Sequence, residues 1–178
     1  MKPKILSQKL EYECSWMKIE EAKIKLPNGK IKKWQKVTLD DFVEIVPVDK
    51  DKNVYFSKEW RVSWGKNVLQ FPAGSCAGLK GKEILQQARN ELREEIGMDA
   101  RKWEKLSTCL NNARIKIKCH IFLARDLYPS KKKNDDDEII EIIKMPFDKA
   151  YKLILSGKIP TTSATILGMM LVKERLNL

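Results

Sequence analysis

The segment spanning residues 82–98 constrains the fold more than any other stretch of the chain. Its apolar residues recur at helical spacing, and Gly97 follows them as a residue suited to end a helix. An amphipathic helix is therefore predicted over about residues 83–96. The apolar stripe of this helix consists of Leu85, Ala88, Leu92 and Ile96. A helix with one such stripe must bury it against another layer of the fold, and we expect that layer to be a sheet.

Three carboxylates, Glu91, Glu94 and Glu95, flank this stripe near the C-terminal end of the helix. Anions at that end meet the negative pole of the helix dipole, and like charges three or four residues apart repel each other. A divalent cation would reverse both penalties, and hard carboxylate oxygens suit Mg²⁺ or Mn²⁺. The alternative is a set of surface glutamates paired with Arg89 and Arg93, and the helix alone does not decide between the two.

Turn chemistry and alternation predict strands and further helices around this segment. A β-hairpin is predicted over residues 16–37, because Asn28-Gly29 supplies a turn with positive φ. Further strands are predicted within residues 42–61, at 115–124 and at 139–145, and further helices at 147–156 and 163–176. Strands and helices do not alternate regularly, which favours an α+β arrangement over a doubly wound sheet.

The charge is strongly positive, with a formal net value of +11. Residues 1–37 carry ten lysines against four glutamates, which could attract phosphates or nucleic acid, or could simply form a solvated surface. Nucleic acid is not the expected partner, since no stripe of aromatics and arginines is present. No apolar run suits a membrane span or a signal peptide, so a cytoplasmic location is expected, with the four scattered cysteines as free thiols.

The stretch "FPAG…GKEILQQARNELREEIGM" resembles the signature of the Nudix hydrolases, Gly-x5-Glu-x7-Arg-Glu-U-x-Glu-Glu-x-Gly-U, where U is a bulky apolar residue. Its second half matches from Glu91 to Met98. Its first half departs from the pattern, since Lys82 stands in the place of the first glutamate and Asn90 in that of the arginine. The interval between Gly74 and Lys82 also holds seven residues instead of five.

This resemblance implies a fold and a domain organisation. The implied fold is an α/β/α sandwich around a mixed sheet, with an N-terminal β-hairpin extension. Residues 1–40 would form the hairpin and dimerisation segment, and residues 41–178 the Nudix domain, within one structural unit. The segments "VPVD", "KEWR" and "FPAG" look closest to the branch of ADP-ribose and ADP-sugar diphosphatases.

The resemblance also implies a metal site and a general base. Glu91, Glu94 and Glu95, with the carbonyl group of Ala73, would hold Mg²⁺ or Mn²⁺, and Glu94 would take part in catalysis through that metal. In this branch a glutamate after the helix deprotonates the attacking water. Glu138 aligns best with that base, and Glu141 is the reserve candidate; an acidic run such as residues 135–138 is otherwise an ordinary solvated loop.

Substrate contacts are implied at three further residues. Arg61 would hold a phosphate group, and Trp16 and Trp34, eighteen residues apart, would stack on the two faces of an adenine. With the turn centred near Asn28-Gly29, Trp34 should face residue 22 or 23 across the hairpin, so Trp16 is not its cross-strand neighbour. In similar proteins the two tryptophans come from different subunits, which implies a homodimer.

The implied activity is hydrolysis of the diphosphate bond of ADP-ribose or a related nucleoside diphosphate-linked compound. ADP-ribose would yield AMP and ribose 5-phosphate, and the expected partner is a small nucleoside diphosphate sugar. Asn112 replaces a proline, and Leu39 an arginine, that are typical of ADP-ribose-specific members. The alternatives are a catalytically impaired Nudix-fold module that binds nucleotides, suggested by Lys82 and Asn90, and an RNA-directed Nudix protein, suggested by the basic N-terminal third.

Overall fold

The structure is a computed structural model that describes residues 2–110, 113–132 and 139–178. Its strands, in chain order, are β1 (Lys4–Glu13), β2 (Met17–Lys25), β3 (Ile31–Leu39), β4 (Phe42–Val48), β5 (Asn53–Arg61), β6 (Lys66–Gln70), β7 (Ala73–Ser75), β8 (Met98–Leu110), β9 (Ile115–Lys116), β10 (Lys118–Pro129) and β11 (Glu141–Pro146). Its helices are α1 (Lys82–Glu91), α2 (Phe147–Leu155) and α3 (Ser163–Leu176). A short 3₁₀ turn, Val62–Trp64, separates β5 from β6, and a π-helical turn, Leu92–Ile96, continues α1.

The strands form two sheets. The N-terminal sheet has the order β1-β2-β3-β9, and the central sheet has the order β11-β5-β4-β10-β8, with β6 beside β5 and β7 beside β4. The central sheet is mixed, because β10 runs parallel to β4 and antiparallel to β8. The predicted α+β class with a mixed sheet is confirmed.

Helices cover both faces of the central sheet, and alternate residues of its strands explain why. On β4, Val43 and Ile45 pack with the α1 residues of the predicted stripe, whereas Val46 and Val48 pack with α2 and α3. On β10, likewise, Ile121 and Leu123 pack on the side of α2 and α3, whereas Phe122 and Ala124 pack on the side of α1. A strand buried on both faces must be continuously apolar, and these two are nearly so. The α/β/α sandwich is therefore present, with α1 and its π-helical turn on one face and α2 and α3 on the other.

The predicted N-terminal hairpin is present, and it belongs to a larger sheet. β2 and β3 pair in register from Met17↔Leu39 to Lys25↔Ile31, and Gly29 has the positive φ of 84° that the turn requires. Trp34 faces Ala22, as the turn position predicts. The hairpin is extended on one side by β1 and on the other by β9, which comes from much later in the chain.

Two long strands were missed from the sequence. β1 is exposed at every position, so its sequence carries no burial pattern to identify it. β8 holds charged residues at several positions, yet it pairs with β10 from Met98 to Leu110. Pairing with another strand, and not local propensity, makes these segments strands. Within the described ranges, no helix has the length and apolar character needed to cross a membrane.

Asp49 organises the turn between β4 and β5. Its carboxylate accepts hydrogen bonds from the backbone N–H groups of Asp51 (2.9 Å) and Asn53 (2.8 Å) and from the hydroxyl of Tyr55 (3.1 Å). It also forms an ion pair with Lys144 of β11 at 2.8 Å. Burial alone would raise the pKa of Asp49, but the Lys144 contact and the hydrogen bonds outweigh it and lower that pKa from 3.8 to about 2.

Asp49→Asn is expected to destabilise the fold in a pH-dependent manner. The Asp49 pKa is lower in the folded state, so its contribution is fully present above about pH 4 and is lost as the pH falls through about 2. We expect urea unfolding to show a loss on the order of 1–2 kcal/mol at pH 7 that shrinks toward pH 2. The exposed neighbour Asp51, changed to Asn, is the control. Equal, pH-independent losses in both variants would contradict this account.

Candidate active site

The three predicted metal-binding glutamates lie where α1 passes into its π-helical turn. Glu91 is the last residue of α1, and Glu94 and Glu95 belong to the wider turn that follows. A π-helical turn adds one residue to the usual spacing and so changes the direction of the side chains that it carries. Gly97 ends the turn with a φ of 76°, a conformation that favours glycine.

Glu91 lies directly against the backbone of Gly74 in β7. A Cβ atom placed on Gly74 would stand 1.9 Å from Oε1 of Glu91 and 2.0 Å from its Cδ atom. Only a glycine therefore leaves room for this carboxylate. Gln87, one helical turn earlier, donates a hydrogen bond of 2.6 Å to the same Oε1 atom and fixes its position.

Glu95 is hydrogen-bonded to Ala73, the residue before Gly74. Its Oε1 atom accepts a hydrogen bond of 3.0 Å from the backbone N–H of Ala73, and the residue is only 7% exposed. Ala73 in turn lies opposite Glu44 where β7 pairs with β4. Glu95 and Glu91 thus contact Ala73 and Gly74, respectively, within the "FPAG" segment.

Glu94 points to a different partner. It forms an ion pair with Lys132, and the backbone N–H of Lys132 donates to the carbonyl oxygen of Arg93 at 3.1 Å. Ser130 is tied to the same helix end, since its N–H donates to the carbonyl oxygen of Gly97 at 2.9 Å. Residues 130–132 are therefore held beside the carboxylates by backbone hydrogen bonds as well as by charge.

A cavity of about 790 Å³ opens beside Ala73 and Gly74. It is bounded by residues of β4, β6 and β7, by the N-terminal end of α3, and by Leu39 and Asp40 at the end of β3. Two of the predicted substrate contacts, Trp16 and Arg61, line it. Arg61 also forms an ion pair of 3.1 Å with Glu59. The structure thus brings Trp16, Arg61 and Ala73 to one cavity.

Trp34 lies apart from this cavity. It lines a smaller cleft of about 320 Å³ on the N-terminal sheet. The ammonium of Lys32 lies 4.9 Å and the guanidinium carbon of Arg114 lies 4.7 Å from the ring centroid of Trp34. Within one chain, therefore, Trp16 and Trp34 do not line the same cavity.

Glu44 is a buried acid in the cavity wall that sequence reasoning missed. Burial raises the pKa of Glu44 to about 8; nearby Glu95 acts in the same direction, while a hydrogen bond of 2.9 Å from Thr165 opposes it. The Thr165 hydroxyl oxygen also accepts from the N–H of Phe71 at 3.1 Å. At neutral pH Glu44 is therefore mainly protonated and adds little negative charge. The available sequence signal was one acid inside the apolar run "FVEIVPV".

The remaining predicted residues have the following positions. Glu138 and Asn112 lie outside the described residues. The reserve candidate Glu141 is paired with Lys58 at 2.7 Å in the β5–β11 ladder and is absent from the cavity lining. Lys82 is the first residue of α1, and the side chain of Asn90 accepts a hydrogen bond of 3.4 Å from Gln86.

Comparison with known proteins finds relatives in sequence and a solved structure of similar fold. An ADP-ribose pyrophosphatase of Bacillus subtilis is 29% identical over 139 residues, which cover 76% of this chain and 74% of that protein. An uncharacterized Nudix hydrolase of Schizosaccharomyces pombe is 29% identical over 165 residues, 79% of this chain and 77% of that one. A crystal structure of an ADP compounds hydrolase superposes with a TM-score of 0.87 at 22% identity, over 99% of this chain and 95% of that chain. No family model matches the sequence.

These similarities support an assignment of the chain to the Nudix hydrolase superfamily. The predicted Nudix fold and the assignment as a Nudix-type diphosphatase are therefore confirmed. The retained half of the Nudix signature carries the residues that contact β7, namely Glu91 and Glu95, together with Glu94.

Nudix hydrolases generally need a divalent metal ion, and the donor chemistry here fits one. Glu91 and Glu95 offer hard oxygen ligands beside the backbone of Ala73, and glycine at position 74 leaves space for the Glu91 carboxylate. Within the ranges that the structure describes, no three acidic, histidine or cysteine side chains are gathered tightly enough to hold an ion. Glu94 would complete such a group only after exchanging Lys132 for the cation.

Gly74→Ala is expected to displace the Glu91 carboxylate without unfolding the protein, because the clashing atoms are the end of a flexible side chain. We expect Mn²⁺ binding, followed by electron paramagnetic resonance, to weaken at least about tenfold, with little change in melting temperature. In a Glu91→Ala background the same glycine substitution should have almost no further effect on Mn²⁺ binding. Wild-type Mn²⁺ affinity in Gly74→Ala would refute this role for the glycine.

Proposed function

We propose that this Nudix hydrolase cleaves the diphosphate bond of ADP-ribose, or of a related nucleoside diphosphate-linked compound, with the help of Mg²⁺ or Mn²⁺. The observation that carries the proposal is the contact of Glu91 and Glu95 with Ala73 and Gly74 at the wall of the large cavity. This contact brings candidate metal ligands next to a space that can hold a nucleotide. The activity of the Bacillus subtilis relative, as its name gives it, supports this choice of substrate.

The metal would be held by Glu91, Glu94, Glu95 and the carbonyl oxygen of Ala73. A bound divalent ion supplies neutralisation of charge on the diphosphate and activation of a water molecule. The chain's own part is to fix these oxygen ligands: α1 packs on the sheet, and Gln87 and the Ala73 N–H hold two of the carboxylates in position.

Glu138 is our proposed general base, which takes a proton from the attacking water. Support for this role comes from Lys132, the last described residue before Glu138. The side chain of Lys132 forms an ion pair with Glu94, and its backbone N–H is hydrogen-bonded to Arg93. Addition of one water to ADP-ribose breaks one P–O bond of the diphosphate and yields AMP and ribose 5-phosphate.

Trp16 and Arg61 are the proposed substrate contacts within the cavity. Trp16 is 58% exposed, and its ring can stack on a base. The guanidinium of Arg61 can bind a phosphate with charge-assisted hydrogen bonds. A small nucleoside diphosphate is the proposed partner, and nucleic acid is not. A cytoplasmic location is part of the same proposal.

The central experiment measures AMP released from ADP-ribose with Mg²⁺, with Mn²⁺ and with chelator. We expect metal-dependent AMP formation, and a fall of kcat on the order of 10²-fold or more in Glu95→Gln. Glutamine can still accept the Ala73 hydrogen bond, so folding should be retained. Glu174→Gln, the same change at an exposed position of α3, is the control. Absence of turnover on a panel of nucleoside diphosphate sugars, with nucleotide binding retained, would favour the binding-module alternative.

We also propose a homodimer in which residues 1–40 bring Trp34 to the cavity of the partner. The support is the separation of Trp34 from Trp16 within one chain and the exposed edge strand β1, which carries apolar residues. Such an edge is a template for pairing with another chain. Residues 41–178 would then supply the catalytic part of each site.

Mixed dimers test this arrangement directly. Trp16→Ala and Trp34→Ala should each raise KM for ADP-ribose more than they lower kcat, because base stacking is a binding interaction. If the two rings come from different subunits, dimers that combine one chain of each variant should regain one wild-type site in two. Sedimentation of the wild-type protein as a monomer at micromolar concentration, or no recovery in mixed dimers, would contradict the shared site.

A further inference from the structure

Trp64 is a second exposed tryptophan of the large cavity, and the proposed mechanism does not use it. Trp64 is 72% exposed, and it lines the same cavity as Trp16. The two residues belong to separate parts of the chain, since Trp16 precedes β2 and Trp64 lies in the turn between β5 and β6. An aromatic ring left this exposed in a cavity offers a flat apolar face to a ligand.

The turn that carries Trp64 is held in place by its backbone. Gly65 closes it with a φ of 58°, and the N–H of Gly65 donates to the carbonyl oxygens of Arg61 (3.0 Å) and Val62 (3.2 Å). Glycine suits this left-handed conformation, whereas other residues would be strained there. The hairpin therefore presents the Trp64 ring on a defined support.

Two cations stand at the base of the same turn. Arg61 and Lys66 are the last pair of the β5–β6 ladder, and both line the cavity. Cross-strand partners project to the same face of a sheet, so the two charges lie on one side of the hairpin. A diphosphate bound by these cations would place the groups attached to its phosphates within reach of Trp64.

We propose that Trp64 is the platform for the second group of the substrate, the one that the diphosphate joins to the nucleotide stacked on Trp16. A flat aromatic group binds such a platform better than a bare sugar does, so the favoured substrate class is a diphosphate with an aromatic base at each end. The cavity of about 790 Å³ lies toward the upper end of the range for ligand sites and leaves room for both ends. The inference rests on the proposed function for the position of the first base.

Trp60 provides a matched control. It is also an exposed tryptophan of this hairpin, at 57%, but it lies one residue before Arg61 on β5 and is absent from the cavity lining. Successive strand residues point to opposite faces of the sheet, so Trp60 projects away from the side of Arg61. Replacement of Trp60 therefore removes the same amount of aromatic surface without affecting the proposed platform.

The test compares the binding of diadenosine diphosphate, which has a base at each end, with that of ADP-ribose. Both are titrated calorimetrically into metal-free wild-type protein and into Trp64→Ala, Trp64→Phe and Trp60→Ala. We expect Trp64→Ala to weaken the binding of diadenosine diphosphate by about tenfold, because one stacked base is lost. The binding of ADP-ribose should weaken by much less. Trp64→Phe should retain most of the affinity, and Trp60→Ala should bind both ligands like the wild type.

The outcomes separate this inference from the proposed function. Equal losses for both ligands in Trp64→Ala, no loss for either, or no binding of diadenosine diphosphate by the wild type would overturn the role of Trp64. Failure to release AMP would overturn the proposed hydrolysis and leave a selective binding effect of Trp64 intact. Because Trp64 is exposed, its replacement should not unfold the chain, and circular dichroism with the Phe variant checks this.

Discussion

The contact between the end of α1 and strand β7 is the constraint on which the rest of the site depends. Glu91 fits only because residue 74 has no side chain, and Glu95 is held by the N–H of the adjacent Ala73. These contacts determine how α1 lies on the sheet and where the carboxylates point. The same two residues, Ala73 and Gly74, line the large cavity, whereas Glu91 and Glu95 are absent from its lining. The large cavity and the proposed metal ligands therefore both adjoin the short strand β7.

The elements that bury apolar residues spaced at a regular period could be predicted from the sequence. The stripe of α1 packs as expected because helix period and burial agree, and the Asn28-Gly29 turn fixes the β2–β3 register because its backbone geometry allows few alternatives. The bounds of α3, Ser163–Leu176, were predicted as well, and Thr162 caps its N-terminus by accepting from the Thr165 N–H at 3.1 Å.

The features that were missed depend on pairing or contact with other elements of the fold. The strand β1 is exposed throughout and gains its structure from pairing with β2, so no local pattern announces it. The environment of Glu44 depends on Thr165, which lies far along the chain and donates a hydrogen bond to its carboxyl group. For the tryptophans, the resemblance coupled Trp16 with Trp34, and within one chain the large cavity is lined by Trp16 and Trp64.

The departures from the Nudix signature lie away from the contacts that build the site. Lys82 is exposed at the start of α1, and the acid that this helix end needs is supplied one residue later by Glu83, which accepts a hydrogen bond of 3.0 Å from the N–H of Lys80. Asn90 bonds within its own helix to Gln86. Neither substitution removes a group that touches Ala73 or Gly74. A chain can therefore carry Lys82 and Asn90 in place of two signature residues and keep the contacts of Glu91 and Glu95 with Gly74 and Ala73.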